Sequence, residues 1–501
     1  STNYGEIDPA FGDLADFQTL TSEAAARGIS VILDGVFNHT SSDSIYFDRY
    51  HRYAEVGACE SATSPYRDWY YFTDVTPGTG ACTGSDGTPL AANYESWWGY
   101  DSLPKLRANT PAVRDLIWAQ GTTSIGPYWI SEGADGWRFD VGGDVDPGTT
   151  GDPANDYWEG FRNAVRTVNP ETYLVGEEWG NSTSWLLGNE WDASMNYQFG
   201  TSIKGFYRHT PFTDNDHNSG SSAGIIAPLK PSQLEERLRY LEERNPPEAF
   251  YAMLNLLDSH DTNRALFFMD HNAAVGTDPT PLQSPTYDWS DAMTRLMGVA
   301  LLQFTLPGAP TIYYGDEVGL VGPTAYSGGK WEDDPYNRLP FPWLDESGTP
   351  FYTHLQSGGA GWTTLRPYYQ LLAATRTAHA ALRTGSFDTL LVDDANDIYS
   401  YGRLAADDAA VIIANRGATQ AVTVDVSGYL AVGTQLVNVL DGNALYTVAA
   451  DGSLTVPAVP TLSGALLVLT GTLATSPAAV TDLAIVAERG GELDLAWTAA
   501  T

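Results

Sequence analysis

The sequence has few cationic residues and no long apolar run. Lysine and arginine number 26 against 62 aspartate and glutamate residues, which gives a formal net charge of −36. Such a chain cannot neutralise a phosphate backbone, so nucleic acid is excluded as a partner. No apolar run approaches the ~20 residues that a membrane helix requires, so we expect no membrane-spanning role either.

Cysteine is also scarce. The two cysteines, Cys59 and Cys82, lie in a loop-rich stretch of Gly, Ser and Thr. Such a pair predicts a disulfide that pins a long insertion, and two unpaired thiols are the alternative. No Cys or His lies near them at the spacing of a metal site. A disulfide favours an oxidising compartment, so we expect an extracellular or cell-surface protein.

The sequence pattern changes along the chain. At 501 residues it exceeds one ordinary domain. Strand-like runs alternate with helical stretches at first, a pattern typical of a parallel sheet, and a long Gly/Pro/aromatic segment before Pro111 interrupts them. A single helix is predicted over Leu365–Leu382, and the short alternating runs after it indicate an antiparallel β-sandwich. Two further strand-like runs follow Ala474.

Four stretches end strand-like runs in polar groups. They are ILDGVFNH (32–39), GWRFDV (136–141), LVGEEW (174–179) and LLDSHDTNR (256–264). A TIM barrel presents its chemistry at the carboxyl ends of its strands in this way. Cleavage of a glycosidic bond needs two carboxyl groups in opposite protonation states beside the anomeric carbon. Asp140, Glu177 and Asp261 are candidates to supply such groups.

Strand alternation separates these candidates from their neighbours. Arg138 and Asp140 are two residues apart, so they point to the same side, and the guanidinium would keep Asp140 ionised as a nucleophile requires. A purely structural ion pair is the alternative. Glu177 follows an apolar run, and burial would favour the protonated form that a proton donor needs. Glu178 competes for this role, but alternation points it to the opposite side.

Taken together, the four stretches resemble the conserved regions of the α-amylase superfamily, glycoside hydrolase family 13. The resemblance implies a (β/α)8 TIM-type barrel and a retaining double displacement on α-linked glucans. It implies that Asp140 is the nucleophile, Glu177 the general acid/base and Asp261 the transition-state stabiliser. The substrate-binding residues that it implies are His39, Arg138 and His260 at the sugar undergoing cleavage, Trp179 on the aglycone side, and Asp334 and Arg338 at the next sugar.

Two further stretches narrow the resemblance. SLPKL (102–106) is similar to a segment of neopullulanases and cyclomaltodextrinases, and the stretch from Glu177 to Phe199 looks closer to amylopullulanases. These groups imply cleavage of α-1,4 and α-1,6 glucosidic bonds in starch and pullulan, whereas a plain α-amylase leaves α-1,6 bonds intact. A sugar-binding relative without catalysis is the remaining alternative. The chemistry needs no cofactor, and the resemblance implies a structural calcium ion whose ligands are not assigned to residues.

The resemblance also divides the chain into domains. They are a barrel (1–42 and 113–382), an inserted domain B (43–112), a β-sandwich domain C (383–471) and the start of a fibronectin type III module (472–501). ILDGVFNH corresponds to the third of the family's eight strands, so we expect the first two βα units to be missing from this sequence. Open sheet edges would follow, so we expect poor solubility and low activity of this chain alone.

Overall fold

A computed structural model describes residues 2–74, 82, 93–145, 156–218, 220, 222, 224–271, 276–284, 286–322, 324–349 and 361–471, and the backbone of 484–489 and 492–496. The helices are α1 (Leu14–Ala25), α2 (Pro111–Arg114), α3 (Ile125–Ser131), α4 (Tyr157–Val168), α5 (Tyr197–Tyr207), α6 (Pro231–Arg244), α7 (Pro247–Ala252), α8 (Ala265–Phe268), α9 (Ser290–Thr305), α10 (Arg366–Ala378) and α11 (Ala380–Thr384). The strands are β1 (Ile32–Gly35), β2 (Phe72–Asp74), β3 (Asn93–Tyr94), β4 (Gly136–Phe139), β5 (Tyr173–Gly176), β6 (Ala193–Ser194), β7 (Leu254–Leu256), β8 (Ala309–Thr311), β9 (Ala325–Ser327), β10 (Lys330–Glu332), β11 (Asp388–Asp393), β12 (Ile398–Leu404), β13 (Ala409–Asn415), β14 (Gln420–Asp425), β15 (Gln435–Asn438), β16 (Ala444–Thr447), β17 (Ser453–Val459), β18 (Ser463–Leu469), β19 (Ala484–Arg489) and β20 (Glu492–Ala496).

The chain divides into two compact units. The first unit comprises Ser1–Gln198 and Leu241–Asn255, and the second comprises Phe199–Tyr240 and Leu256–Thr501.

A parallel sheet in the order β1-β4-β5-β6 forms the centre of the first unit. In its register Asp34 pairs with Arg138, and Arg138 pairs with Val175 on β5. The carboxyl ends of β1, β4 and β5 therefore meet at one edge, as the predicted barrel strands require. β1 lies at the side of this sheet, and Ile32 on it is 41% exposed.

Aromatic side chains form the core that supports β4. Phe139 on β4 packs on Trp158 and Phe161 of α4, with ring centroids 4.2 Å and 5.1 Å apart. Tyr157, Trp158, Phe161 and Val165 are buried on one face of α4, and this spacing is what makes the helix amphipathic. Full burial of each such side chain is worth roughly 1.5–3 kcal/mol, so the strand that carries Arg138 is firmly held.

Aromatic rings of segment 43–112, predicted to be an inserted domain, belong to the same hydrophobic core as Phe139 of β4. The rings of Tyr70 and Tyr94 pack against Phe47 at centroid distances of 4.8 Å and 4.7 Å. Cys59 and Cys82 form a disulfide bond. Residues 75–81 and 83–92 of this segment lie outside the described residues.

Antiparallel strands dominate the end of the second unit. A six-stranded sheet has the order β11-β12-β13-β18-β15-β16, and β14 pairs with β17. All residues of β13 are buried, whereas burial alternates along β14, as expected for a strand with one solvated face. Val411 and Ile413 of β13 share a hydrophobic cluster with Val424 of β14 and Leu454 of β17, so the two sheets have a common core.

The prediction of one helix over Leu365–Leu382 is wrong at His379. This residue is extended, with φ −109° and ψ 111°, and it separates α10 from α11. Asp408 is the physical cause, because its carboxylate lies 2.9 Å from His379 Nδ1 and accepts the backbone N–H of Ala381 at 3.0 Å. The carboxylate therefore caps the start of a second helix.

In the segment 472–501, predicted to begin another module, the described residues form β19 and β20, which pair with each other in antiparallel fashion. The remainder of that segment lies outside the described residues. Within the parts of the chain that the structure describes, no helix combines the length and apolar character needed to cross a membrane.

Candidate active site

Arg138 contacts three carboxylates at the carboxyl end of the parallel sheet. Its Nη1 lies 2.8 Å from Asp34 Oδ1 and 2.8 Å from Asp140 Oδ1, and its Nη2 lies 2.8 Å from Glu177 Oε2. The guanidinium is 12% exposed. Burial alone would lower the pKa of Arg138, but the charges of Glu177, Asp34 and Asp140 raise it above its ordinary value. The guanidinium therefore stays cationic. It joins the two carboxyl groups that the sequence predicts to be catalytic, and we call this arrangement the Arg138 fork.

Val141, directly after Asp140, completes the surroundings of Glu177. It has φ 42° and ψ 46°, a left-handed conformation that β-branched residues rarely adopt. Such strain costs roughly 1–3 kcal/mol and concentrates at functional sites. In this conformation the backbone N–H of Val141 donates to Glu177 Oε2 at 2.8 Å. Sequence reasoning missed this residue, because nothing in a valine side chain indicates a left-handed backbone.

Glu177 and Glu178 have separate surroundings. Glu177 is 5% exposed and also accepts the indole N–H of Trp179 at 3.1 Å. Glu178 accepts the backbone N–H of Gly180 at 2.8 Å, and burial raises the pKa of its carboxyl group. Glu177 is thus the glutamate that contacts Arg138, on the side that strand alternation predicts. One face of the Trp179 indole is covered by Tyr197, with centroids 3.7 Å apart and the rings tilted by 11°.

His39 is buried beside segment 43–112. Its imidazole is 6% exposed, and burial lowers its pKa to about 4, although the charge of Asp140 acts in the opposite direction. The neutral ring lies 5.9 Å from the indole of Trp97, with an angle of 28° between the planes. The backbone of His39 forms a bridge with Lys105 of the SLPKL stretch. A neutral imidazole at this depth can donate or accept a hydrogen bond to a sugar hydroxyl.

The remaining predicted residues form a contact group in the second unit. Arg338 Nη2 lies 3.2 Å from Asp261 Oδ1, and Arg338 Nε lies 2.8 Å from Asp334 Oδ1. His260 Nε2 lies 3.1 Å from Asp261 Oδ2. These side chains are between 31% and 53% exposed, so they remain accessible to a ligand.

Asn337 holds the loop that carries His260 and Asp261. Its side-chain amide donates to the carbonyl oxygens of His260 at 2.7 Å and of Thr262 at 2.8 Å. The backbone carbonyl oxygen of Asn337 accepts Arg264 Nε at 2.9 Å, and the residue is 2% exposed. Sequence reasoning missed Asn337, because an asparagine in a Pro-containing loop ordinarily indicates a turn.

The predicted residues therefore fall into two contact groups. The group in the first unit consists of Arg138, Asp140, Glu177 and Trp179. His39 lies close enough to Asp140 for the charge of this carboxylate to affect its pKa. His260, Asp261, Asp334 and Arg338 are linked within the second unit. Among the described residues no cluster of three or more His, Cys, Asp or Glu side chains could hold a metal ion. The calcium ion implied by the family resemblance consequently has no ligands assigned here.

Comparison with known proteins places this geometry in a family. Residues 1–383 match the family described as alpha amylase, catalytic domain, and the chain belongs to that family, whose catalytic domain is a (β/α)8 barrel. It is 35% identical over 533 residues to an amylopullulanase of Thermoanaerobacter thermohydrosulfuricus, covering 99% of this chain and 32% of that protein. It is 30% identical over 428 residues to neopullulanase 2 of Thermoactinomyces vulgaris, covering 85% of this chain and 58% of that protein.

A solved structure has a fold similar to that of this chain. A debranching enzyme of Nostoc punctiforme, from an acarbose-soaked crystal, matches with a TM-score of 0.66 and 26% identity, covering 93% of this chain and 81% of that one. This chain spans between 25% and 36% of the length of the amylopullulanases that it matches.

Proposed function

We propose that this chain is a retaining glycoside hydrolase that acts on α-glucans. The observation that carries the proposal is the Arg138 fork, because it places Asp140 and Glu177 on one cation at the carboxyl end of the sheet. Glycosidases of the retaining type need two such carboxyl groups close together, one as nucleophile and one as acid/base. A fork that only stabilised the fold would not require this pair at a strand end.

The proposed reaction has two steps. In the first, an Asp140 carboxylate oxygen attacks the anomeric carbon while Glu177 gives its proton to the departing glycosidic oxygen. The bond to the leaving sugar breaks and a covalent glucosyl ester forms on Asp140. In the second, Glu177 takes a proton from water, whose oxygen attacks the same carbon and frees Asp140. Two inversions give net retention of the anomeric configuration.

Glu177 must alternate between acid and base, and its surroundings support both forms. Its 5% exposure favours the neutral acid, because a buried charge loses its hydration. Arg138 and the Val141 N–H, each 2.8 Å from Oε2, favour the carboxylate. Asp140 Oδ1 lies 2.8 Å from the same guanidinium, which holds the carboxylate beside Glu177.

The other roles follow from the family resemblance. We propose Asp261 as the transition-state stabiliser. The residues proposed to bind sugars are His39, Arg138 and His260 for the glucose undergoing cleavage, Trp179 for the aglycone side, and Asp334 and Arg338 for the next sugar. The domain assignments of the inserted segment, the antiparallel sheets and the C-terminal strands are likewise proposals, and the disulfide supports an extracellular or cell-surface location.

We further propose that the enzyme cleaves both α-1,4 and α-1,6 glucosidic bonds. The named amylopullulanase relative supports this specificity, and the neopullulanase relative supports a neopullulanase or cyclomaltodextrinase as the second candidate. Pullulan distinguishes them by product. Maltotriose as the main product requires α-1,6 cleavage, panose indicates α-1,4 cleavage alone, and undigested pullulan with digested amylose indicates a plain α-amylase.

Matched variants test the catalytic assignment in the same assay. Glu177→Gln should reduce turnover of pullulan and amylose by about 10⁴-fold while glucan binding persists, because only the proton donor is lost. Glu178→Gln is the matched control and should lower turnover by less than about tenfold. The opposite ranking would assign the chemistry to Glu178 and refute the assignment. Glucan binding without turnover in the complete protein that contains this sequence would favour the non-catalytic relative.

A further inference from the structure

Beside His39, the inserted segment presents a row of aromatic rings that the proposed reaction does not use. Trp97 stacks on His39 at 5.9 Å and on Tyr100 at 6.3 Å, each pair with 28° between planes. Trp98 lies 6.2 Å from Trp97. The Trp98 side chain is 80% exposed and that of Tyr100 is 60% exposed. The row therefore begins at a proposed sugar-binding residue and ends in solvent.

Trp97 anchors this row and is not itself an open surface. His39 and Tyr100 stack on its ring, and its indole N–H donates to Asp144 Oδ2 at 3.1 Å. The backbone of the turn is tied down as well, since Trp97 N donates to Leu103 O at 3.0 Å and Leu103 N donates to Tyr100 O at 2.9 Å. The backbone that carries the two exposed rings is thus held in place.

The backbone of Trp98 is strained in the conformation that exposes its ring. It has φ 51° and ψ 22°, in the left-handed region that favours glycine. The next residue, Gly99, also has a positive φ of 78°, but glycine adopts this conformation without a steric cost. A bulky residue that keeps an unfavourable conformation while its ring stays in water is unusual, and such residues cluster at active sites and ligand-binding sites.

The segment is also fixed relative to His39. Leu106 N donates to Asn38 O at 2.9 Å, and Thr40 N donates to Pro104 O at 3.2 Å, on either side of the bridge between His39 and Lys105. Any ligand that lies on Trp98 and Tyr100 is therefore at a defined distance from the imidazole. This continuity with the proposed sugar site decides the kind of occupant.

We propose that Trp98 and Tyr100 form an accessory platform on which an α-glucan chain stacks as it leaves the glucose held by His39. The C–H faces of glucose are apolar and flat enough to lie on an indole or phenol ring. With a net charge of −36 the protein repels anionic polymers, whereas a neutral glucan approaches without penalty. The inference rests on the proposed function for its ligand class, and it adds two residues that bind sugars away from the cleaved bond.

Calorimetric titration of a Glu177→Gln chain with maltotriose, maltopentaose and maltoheptaose tests the platform. Affinity should rise with chain length in this parent. Trp98→Ala should raise the Kd for maltoheptaose about tenfold and that for maltotriose less than about twofold, because only long chains reach the ring. Trp98→Phe should restore most of the affinity, and Tyr100→Ala should resemble Trp98→Ala.

Two controls guard against trivial explanations. Trp98→Gly removes the ring and accepts the left-handed backbone, so a loss of affinity in this variant does not reflect misfolding. Phe11→Ala removes an 86% exposed ring in the same unit but outside the turn, and should leave every Kd unchanged.

Equal losses for maltotriose and maltoheptaose, or no loss in both Trp98→Ala and Trp98→Gly, would overturn the platform. A fall in oligomeric mass without a change in Kd would also overturn it, and would show that the rings contact another copy. If the parent binds no glucan at all, the proposed ligand class fails with it. If the chain hydrolyses pullulan but the Kd values do not change in Trp98→Ala and Tyr100→Ala, the proposed function stands and only the platform is refuted.

Discussion

In the first unit one guanidinium contacts three carboxylates, whereas in the second unit one carboxamide contacts the backbone carbonyls of a loop. Arg138 lies 2.8 Å from oxygens of Asp34, Asp140 and Glu177. Asn337 donates at 2.7 Å and 2.8 Å to the carbonyls of His260 and Thr262. The first arrangement is a largely buried ion-pair network, whereas the second consists of neutral hydrogen bonds to the backbone. The two groups should therefore respond differently to mutation.

Loss of the Arg138 fork should have the largest effect. We expect Arg138→Lys to lower kcat/KM by at least about 100-fold, because a single ammonium group cannot hold both Asp140 and Glu177 in place. The free energy of unfolding should fall by roughly 3 kcal/mol, since a largely buried ion-pair network is broken. Turnover of amylose and urea unfolding measure the two quantities.

Arg27→Lys is the matched control for this change. Its partner Glu23 and Arg27 itself are 64% and 62% exposed, so the pair should contribute less than about 1 kcal/mol. An Arg138→Lys enzyme with parental activity would show that the fork is structural and would remove the main support for the proposed function.

Loss of the Asn337 amide should have a smaller effect of a different kind. In Asn337→Ala the carbonyls of His260 and Thr262 lose a buried donor, at a cost of roughly 1–3 kcal/mol in stability. If Asn337 positions Asp261, kcat should also fall about tenfold while KM changes little. Asn396→Ala, which removes an exposed asparagine amide bonded to Asp393 at 2.7 Å, is the control. A drop in melting temperature with unchanged kcat would reduce Asn337 to a purely structural residue.

The last prediction concerns the contribution of His39 to stability, which should change only in acid. Burial lowers its pKa to about 4, below the value of about 6.5 for an unfolded histidine. As pH falls from about 6.5 to about 4, the unfolded chain binds a proton that the folded chain does not, so stability falls, by roughly 3 kcal/mol at most. His39→Gln should flatten this slope in urea titrations, and equal slopes in the two proteins would refute the assignment.

Strand ends could be predicted from sequence because their signals are local. An apolar run precedes Glu177, which predicts that Glu177 follows a buried strand. The two-residue spacing of Arg138 and Asp140 predicts that these two side chains share one side of a strand. The contact between Arg138 and Glu177 joins residues on different strands, and no local pattern specifies the parallel register that creates it.

Other features depend on distant or unremarkable residues. The break at His379 is caused by Asp408, which lies 29 positions further on, so a helical pattern alone predicts a continuous helix. Val141 and Trp98 have left-handed backbone conformations, which cannot be predicted from the identity of a valine or a tryptophan. Asn337 acts through two hydrogen bonds that exist only after the loops around it have packed.

The central claim is that Asp140 forms a covalent ester with glucose while Glu177 serves as acid and base. A fluorinated α-glucosyl fluoride that slows hydrolysis of the ester should label the protein, and peptide mass mapping should locate the sugar. We predict one glucosyl adduct on the peptide containing Asp140, and its absence after Asp140→Asn. An adduct on another carboxylate, or products of inverted anomeric configuration, would contradict the account.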